Sequence, residues 1–148
     1  MSRPFPLLAV LPWVALTFVA CSGPAVFTLS PEHAMSTQIV LSESPTAAES
    51  RAAELLAEHL GHLLEVDLPV VTADAPPRDD EVLVGHSRRT RHLNIDVDLA
   101  VLGKDGFVLR TVGGRLVLVG GSGKGVIYAA KTFLEDHLGF RFYAPGVS

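Results

Sequence analysis

The sequence predicts an α+β fold, an α/β two-layer sandwich in which two helices pack on one face of a mixed, largely antiparallel sheet. Three observations predict it. Two segments space their apolar residues by three and four, as amphipathic helices do. A Gly-Gly pair joins two strand-like runs, the composition of a tight hairpin. The elements also follow the order strand, helix, three or four antiparallel-type strands, helix, strand, which places two helices against one sheet.

The chain has 148 residues, of which 48% are hydrophobic and 19% charged. That suits one folded domain and excludes disorder or a multispan membrane protein. A net charge of −4 gives no basic footprint for nucleic acid.

At the N-terminus, Arg3 precedes an apolar run over 5–20 that ends in small residues beside Cys21. This is the layout of a signal peptide over residues 1–20, too short to span a membrane comfortably and weakened as a helix by Pro4, Pro6 and Pro12. Cys21 is the single cysteine, so no intrachain disulfide can form. Phe18-Val19-Ala20-Cys21 followed by Ser22-Gly23 resembles a bacterial lipoprotein signal, although leucine is usual where Phe18 stands. The resemblance implies lipid attachment at Cys21 and an exported chain, anchored to a membrane of the periplasm or cell surface, with plain secretion as the alternative. Residues 21–36 then read as a tether, and 37–145 as the folded domain.

Thr37-Gln38-Ile39-Val40-Leu41 is β-prone and runs into helix-start signals. Ser44 can cap with Pro45 as the first helical residue, or Thr46 and Glu49 can form a capping box; either starts one helix reaching about Leu64. Its Ala52, Leu55, Leu56, Leu60 and Leu63 form the apolar stripe. Leu68-Pro69-Val70-Val71 and Glu81-Val82-Leu83-Val84 read as strands, and a polar loop is expected from Gly85 to about Lys104. Segments 107–112 and 115–119 form the hairpin around Gly113-Gly114, where both turn positions tolerate positive φ. This register sets Phe107, Leu109, Thr111, Leu116 and Leu118 on one face. The other face carries Arg110, Arg115 and four valines, so it is neither plainly core nor plainly solvent and could receive another domain. A second helix has Ile127, Ala130, Leu134 and Leu138 as its stripe, Gly139 stops it, and Phe140-Arg141-Phe142-Tyr143 begins a last extended segment.

Four features carry candidate chemistry. Gly120-Gly121-Ser122-Gly123-Lys124-Gly125 sits between strand and helix like a phosphate loop. Its spacing fails the Walker pattern, since Leu118 stands where glycine is needed and Gly125 where the magnesium-binding hydroxyl belongs. The bland reading is a tight connection. His59 and His62 lie three apart on the first helix but lack an evident third ligand, so no metal and no cofactor is implied. Arg88, Arg89 and Arg91, beside His86 and His92, form a basic cluster suited to carboxylate or sulfate groups of an acidic glycan, or to contact with a partner. Its bland reading is a solvated loop. The acidic pairs Asp79-Asp80, Asp96-Val97-Asp98 and Glu135-Asp136 lack the supporting site that glycosidase carboxylates need.

From Lys104-Asp105-Gly106-Phe107 through the hairpin, the sequence Gly125-Val126-Ile127-Tyr128-Ala129-Ala130-Lys131 and the ending Leu138-Gly139-Phe140-Arg141-Phe142-Tyr143-Ala144-Pro145 are distinctive. Over 37–145 the chain resembles the N-terminal α/β domain of bacterial α-glucuronidases, shared in outline with β-N-acetylhexosaminidases and related secreted proteins. The resemblance implies a (β/α)8 barrel as partner, in cis or in trans, with the catalytic carboxylates on that barrel. It therefore implies an accessory or packing domain of a glycoside hydrolase, in a polysaccharide or xylan side-chain setting, with no catalytic residue in this chain. The chain stops where the barrel is expected to start, so a truncated product is the leading expectation. A surface lipoprotein binding acidic glycans through Arg88, Arg89 and Arg91 is the first alternative. A protein-interaction module using the hairpin's valine and arginine face is the second.

Overall fold

The computed structural model describes residues 27–95 and 97–142. The expected signal peptide over 1–20 and the expected lipid site at Cys21 lie outside the described residues.

Residues 27–36, expected as part of a tether, are instead folded onto the domain. Ser30 caps a short helix, α1 (Pro31–Ala34), and Pro31 supplies its first position, where the missing amide costs nothing. Ala34 is buried, and Phe27 and Leu29 pack against the main core.

Five strands follow: β1 (Gln38–Leu41), β2 (Val70–Thr72), β3 (Glu81–Val84), β4 (Phe107–Val112) and β5 (Arg115–Gly120). They form one sheet in the order β2-β1-β3-β5-β4. The α+β class and the mixed sheet stand, but the largely antiparallel pairing does not. β1 runs parallel to both β2 and β3, and β3 parallel to β5; only β4 and β5 pair antiparallel. The physical reason lies in the strands themselves. Ile39-Val40-Leu41 and Val82-Leu83-Val84 are apolar at every position, and such unbroken runs suit strands covered on both faces.

The hairpin forms in the expected register, with Leu109 opposite Leu118 and Thr111 opposite Leu116. Gly113 and Gly114 take φ of 57° and 78°, the left-handed pair that matches strand twist.

The first long helix, α2 (Ala47–Leu64), starts at the Thr46–Glu49 capping box rather than at Ser44. The Thr46 amide donates to Glu49 Oε2 at 2.7 Å, and the Glu49 amide donates to Thr46 Oγ1 at 3.2 Å. Its Ala52, Leu56 and Leu60 are fully buried against Ile39, Val82, Val84, Leu116 and Leu118. Leu64 closes the stripe and Leu63 is exposed. Three short or interrupted helices follow: α3 (Arg88–His92), α4 (Leu99–Leu102) and α5 (Gly125–Thr132), the last continued by a π-helical turn over Phe133–His137. The core stripe of α5 is Val126, Ala129, Ala130, Phe133 and Leu134, with Ile127 and Leu138 half-buried at its border. Gly139, at φ 75°, ends the turn, its amide donating to the Glu135 carbonyl at 3.2 Å. Residues 140–142 add no strand; Phe140 and Phe142 pack on the helix layer.

α2 and α5 thus cover one face of the sheet, as expected. The opposite face has a smaller core of Val40, Leu83, Val117 and Val119 with Ala73 and Ile95. Here the expected polar loop from Gly85 to Lys104 is corrected: it contains α3 and α4 and seats Ile95 against the sheet. The hairpin's second face is mixed, with Val117 and Val119 buried within the domain and Arg110 exposed.

Candidate functional site

The basic cluster is carried by α3 on this second face. Ser87 and Thr90 form a reciprocal cap, with the Ser87 amide donating to Thr90 Oγ1 at 2.9 Å and the Thr90 amide to Ser87 Oγ at 3.3 Å. The cap turns the chain back over the sheet, and Arg89 reaches the first residue of β3.

That residue, Glu81, was not singled out by sequence reasoning, yet it is the hub of the region. Its side chain is 1% exposed. Oε1 accepts from Gln38 Nε2 at 2.8 Å, from the Arg78 amide at 3.1 Å and from the Arg89 guanidinium; Oε2 accepts from Arg115 Nε at 3.0 Å. Burial pushes its carboxyl upward, but the bonds from Gln38, Arg78 and Arg115 and the charge of Arg89 outweigh it, leaving Glu81 below the usual carboxylate range. The knot joins β1, β3, β5, α3 and the β2–β3 connection. Arg89 also donates to the Ala75 carbonyl, and Arg115 to the Arg78 carbonyl at 3.3 Å. The only sequence signal was a carboxylate opening the otherwise apolar run Glu81-Val82-Leu83-Val84, and its burial depends on residues 43 positions upstream and 34 downstream.

Arg88 lies on the outer side of α3. It donates from Nε to Glu43 Oε1 at 2.8 Å, and its guanidinium also pairs with Asp74. Hydrogen bonds from its own backbone, then from the Arg88 side chain and amide, hold the Glu43 carboxyl down at about 2. The same pairing raises Arg88. Arg91 is exposed and stands outside this network. A cavity of about 480 Å³ opens beside the knot, lined in part by Leu83, Leu93, His92, Arg88, Arg89 and Arg115. Two of the three arginines expected to meet an acidic glycan therefore already hold carboxylates of this chain.

The other sequence candidates resolve differently. In the glycine-rich connection the amides of Gly121, Ser122 and Gly123 donate to the carbonyls of Gly106, Gly103 and Lys104 at 2.8, 3.0 and 2.9 Å. Those donors are used by the protein's own backbone. A Cβ at Gly121 or Gly125 would lie 2.0 or 2.1 Å from the carbonyl oxygens of Gly103 or Gly106, so this joint requires glycine for close backbone approach. On α2, His59 Nδ1 donates to the Leu55 carbonyl at 2.9 Å, and its ring packs on Phe140 and Phe142 at 5.0 and 5.2 Å. His62 is exposed. Among the described residues, no group of three His, Cys, Asp or Glu side chains is placed to hold a metal ion.

Fold and site together define a mostly parallel α+β domain whose buried charges are committed to its own architecture. The chain belongs to the family described as glycosyl hydrolase family 67 N-terminus, the N-terminal domain of α-glucuronidases, whose family model matches residues 28–133. Comparisons with curated proteins and with solved structures give no match.

Proposed function

We propose that this chain acts as a non-catalytic accessory domain that packs against the catalytic domain of an α-glucuronidase-type glycoside hydrolase, in the degradation of polysaccharide or xylan side chains. The family match over 28–133 carries this reading. The carboxylates around the basic cluster and the start of α2 support it: hydrolysis of a glycoside needs two carboxyl groups facing across a sugar, about 5–9.5 Å apart. Here Glu81 is saturated by four donors, Glu43 and Asp74 are paired with Arg88, and Glu49 closes a helix cap.

The purified chain is expected to release no glucuronic acid from aldouronic acids, and to co-elute on size-exclusion chromatography with a separately produced family 67 catalytic domain. Hydrolysis by the chain alone overturns the non-catalytic role; separate elution at every concentration overturns the packing role. The same reading includes export with lipid attachment at Cys21, supported by the layout of residues 1–21. Labelling of cells with a fatty-acid analogue tests it, since Cys21→Ser is then expected to lose the label.

A further inference from the structure

The backbone reaches the helix layer and leaves it in different places. On the incoming side, Phe27 and Leu29 line one crevice with Thr111, Leu116 and Leu138, beside the start of β5 and so at the amino end of the parallel strands. On the outgoing side, Gly139 turns the chain back on itself. The Phe140 amide donates to the Leu134 carbonyl at 3.0 Å, and the centre of the Phe142 ring lies 5.4 Å from Lys131 Nζ. Both rings also pack on His59 of α2. Lys131 is about one turn nearer the start of α5 than Leu134. Phe142, the last described residue, therefore lies between α2 and α5 on a path toward the carboxyl end of the sheet, where α5 begins.

Six large apolar side chains are exposed among the described residues, and they divide between the two ends of the sheet. Met35, Leu63 and Val70 lie at the amino end: just before β1, at the close of α2 and at the start of β2. Leu99, Val101 and Tyr128 lie at the carboxyl end, on α4 and the first turn of α5. This second trio is firmly mounted, because the amides of Gly121, Ser122 and Gly123 bond to the carbonyls of Gly106, Gly103 and Lys104 and so brace the end of α4 against the joint between β5 and α5.

The carboxyl end also has the make-up of a protein interface. Val101 is 81% exposed. Beside Leu99 a crevice of about 420 Å³ is lined by Ala47, Ala48 and Val126, a recess for an apolar anchor of a partner. Exposed Asp98, Lys104, Asp105 and Lys124 on the same segments supply the charged rim that surrounds an apolar centre in such surfaces.

We propose that the catalytic domain docks on this carboxyl end, over Leu99, Val101 and Tyr128. The inference rests on the accessory role: in a family whose N-terminal domain this is, the catalytic domain follows, and the outgoing path at Phe142 selects the carboxyl-end trio over the amino-end one, where the incoming chain sits. Calorimetric titration of the full chain with a separately produced family 67 catalytic domain, joined to amide hydrogen exchange of the complex, tests it. Slowed exchange is expected over residues 99–106 and 121–128, with none over 70–72. Val101→Glu and Tyr128→Ala are each expected to weaken binding about tenfold or more, and Val70→Glu, an exposed change at the opposite end, to leave it unaltered. Equal urea midpoints for the three variants and the wild type show that each is folded. Binding with protection confined to another face, or weakened by Val70→Glu and not by Val101→Glu or Tyr128→Ala, overturns this docking surface and leaves the accessory role standing. No binding at any concentration overturns both.

Discussion

On one face the sheet meets Leu56, Leu60, Val126 and Leu134 of two helices; on the other it meets Ile95, Ala73 and the ion knot around Glu81. The first face is closed by apolar area, each fully buried leucine contributing about 1.5–3 kcal/mol. The second has too few apolar residues for that and is tied at its rim by directed hydrogen bonds. Apolar packing tolerates exchange of similar volumes, whereas a carboxylate held by four donors tolerates neither loss nor neutralisation. The two faces should therefore fail in different ways.

Four perturbations sharpen the contrast. Leu56→Ala removes a fully buried side chain from the helical face and is expected to cost about 4 kcal/mol in urea unfolding. Glu81→Ala leaves the Arg89 and Arg115 guanidinium groups facing one another without their carboxylate, and about 3 kcal/mol is expected to be lost. A loss near zero would mean that the second face does not depend on its knot. Gly125→Ala drives a Cβ toward the Gly106 carbonyl at the joint between β5 and α5, with an expected cost of about 2 kcal/mol by the same measurement.

The smallest effect concerns pH. Glu43 and Glu81 both titrate lower in the folded chain than their ordinary value, so their stabilisation is complete above that value and is lost as pH falls. For Glu43 the loss runs from 4.5 down to about 2. The urea midpoint is expected to drop between pH 6 and pH 3, and the gap between wild type and Glu81→Ala to narrow. A constant gap would show that the knot's contribution does not depend on ionisation.

What could be read in the sequence was what local chemistry decides. Gly113-Gly114 fixed the hairpin register because a two-residue turn leaves no freedom in pairing, and the start of α2 followed from Thr46 and Glu49 three positions apart. Parallel pairing could not be read this way. β1 meets β3 only after 18 residues of helix and a crossover, and nothing adjacent to Gln38 indicates that Glu81 will lie beside it. The apolar runs in both strands did hold a signal of burial on two faces. The candidate site divided along the same line. Arg88, Arg89 and Arg91 were visible as a cluster, but the partners of Arg88, Glu43 and Asp74, lie 45 and 14 positions away, and Glu81, 8 positions from Arg89, lies in another element, so the cluster looked free where two of its members are paired.

The hairpin has one more consequence. Among the described residues, β4 ends the sheet and has a single strand neighbour, so its outer backbone groups are a template on which a foreign strand could add. The exposed Arg110 sits in the middle of that strand, between Leu109 and Thr111. A charge in such a place discourages strand addition by another copy of the chain, giving the arginine a protective role that owes nothing to catalysis or recognition.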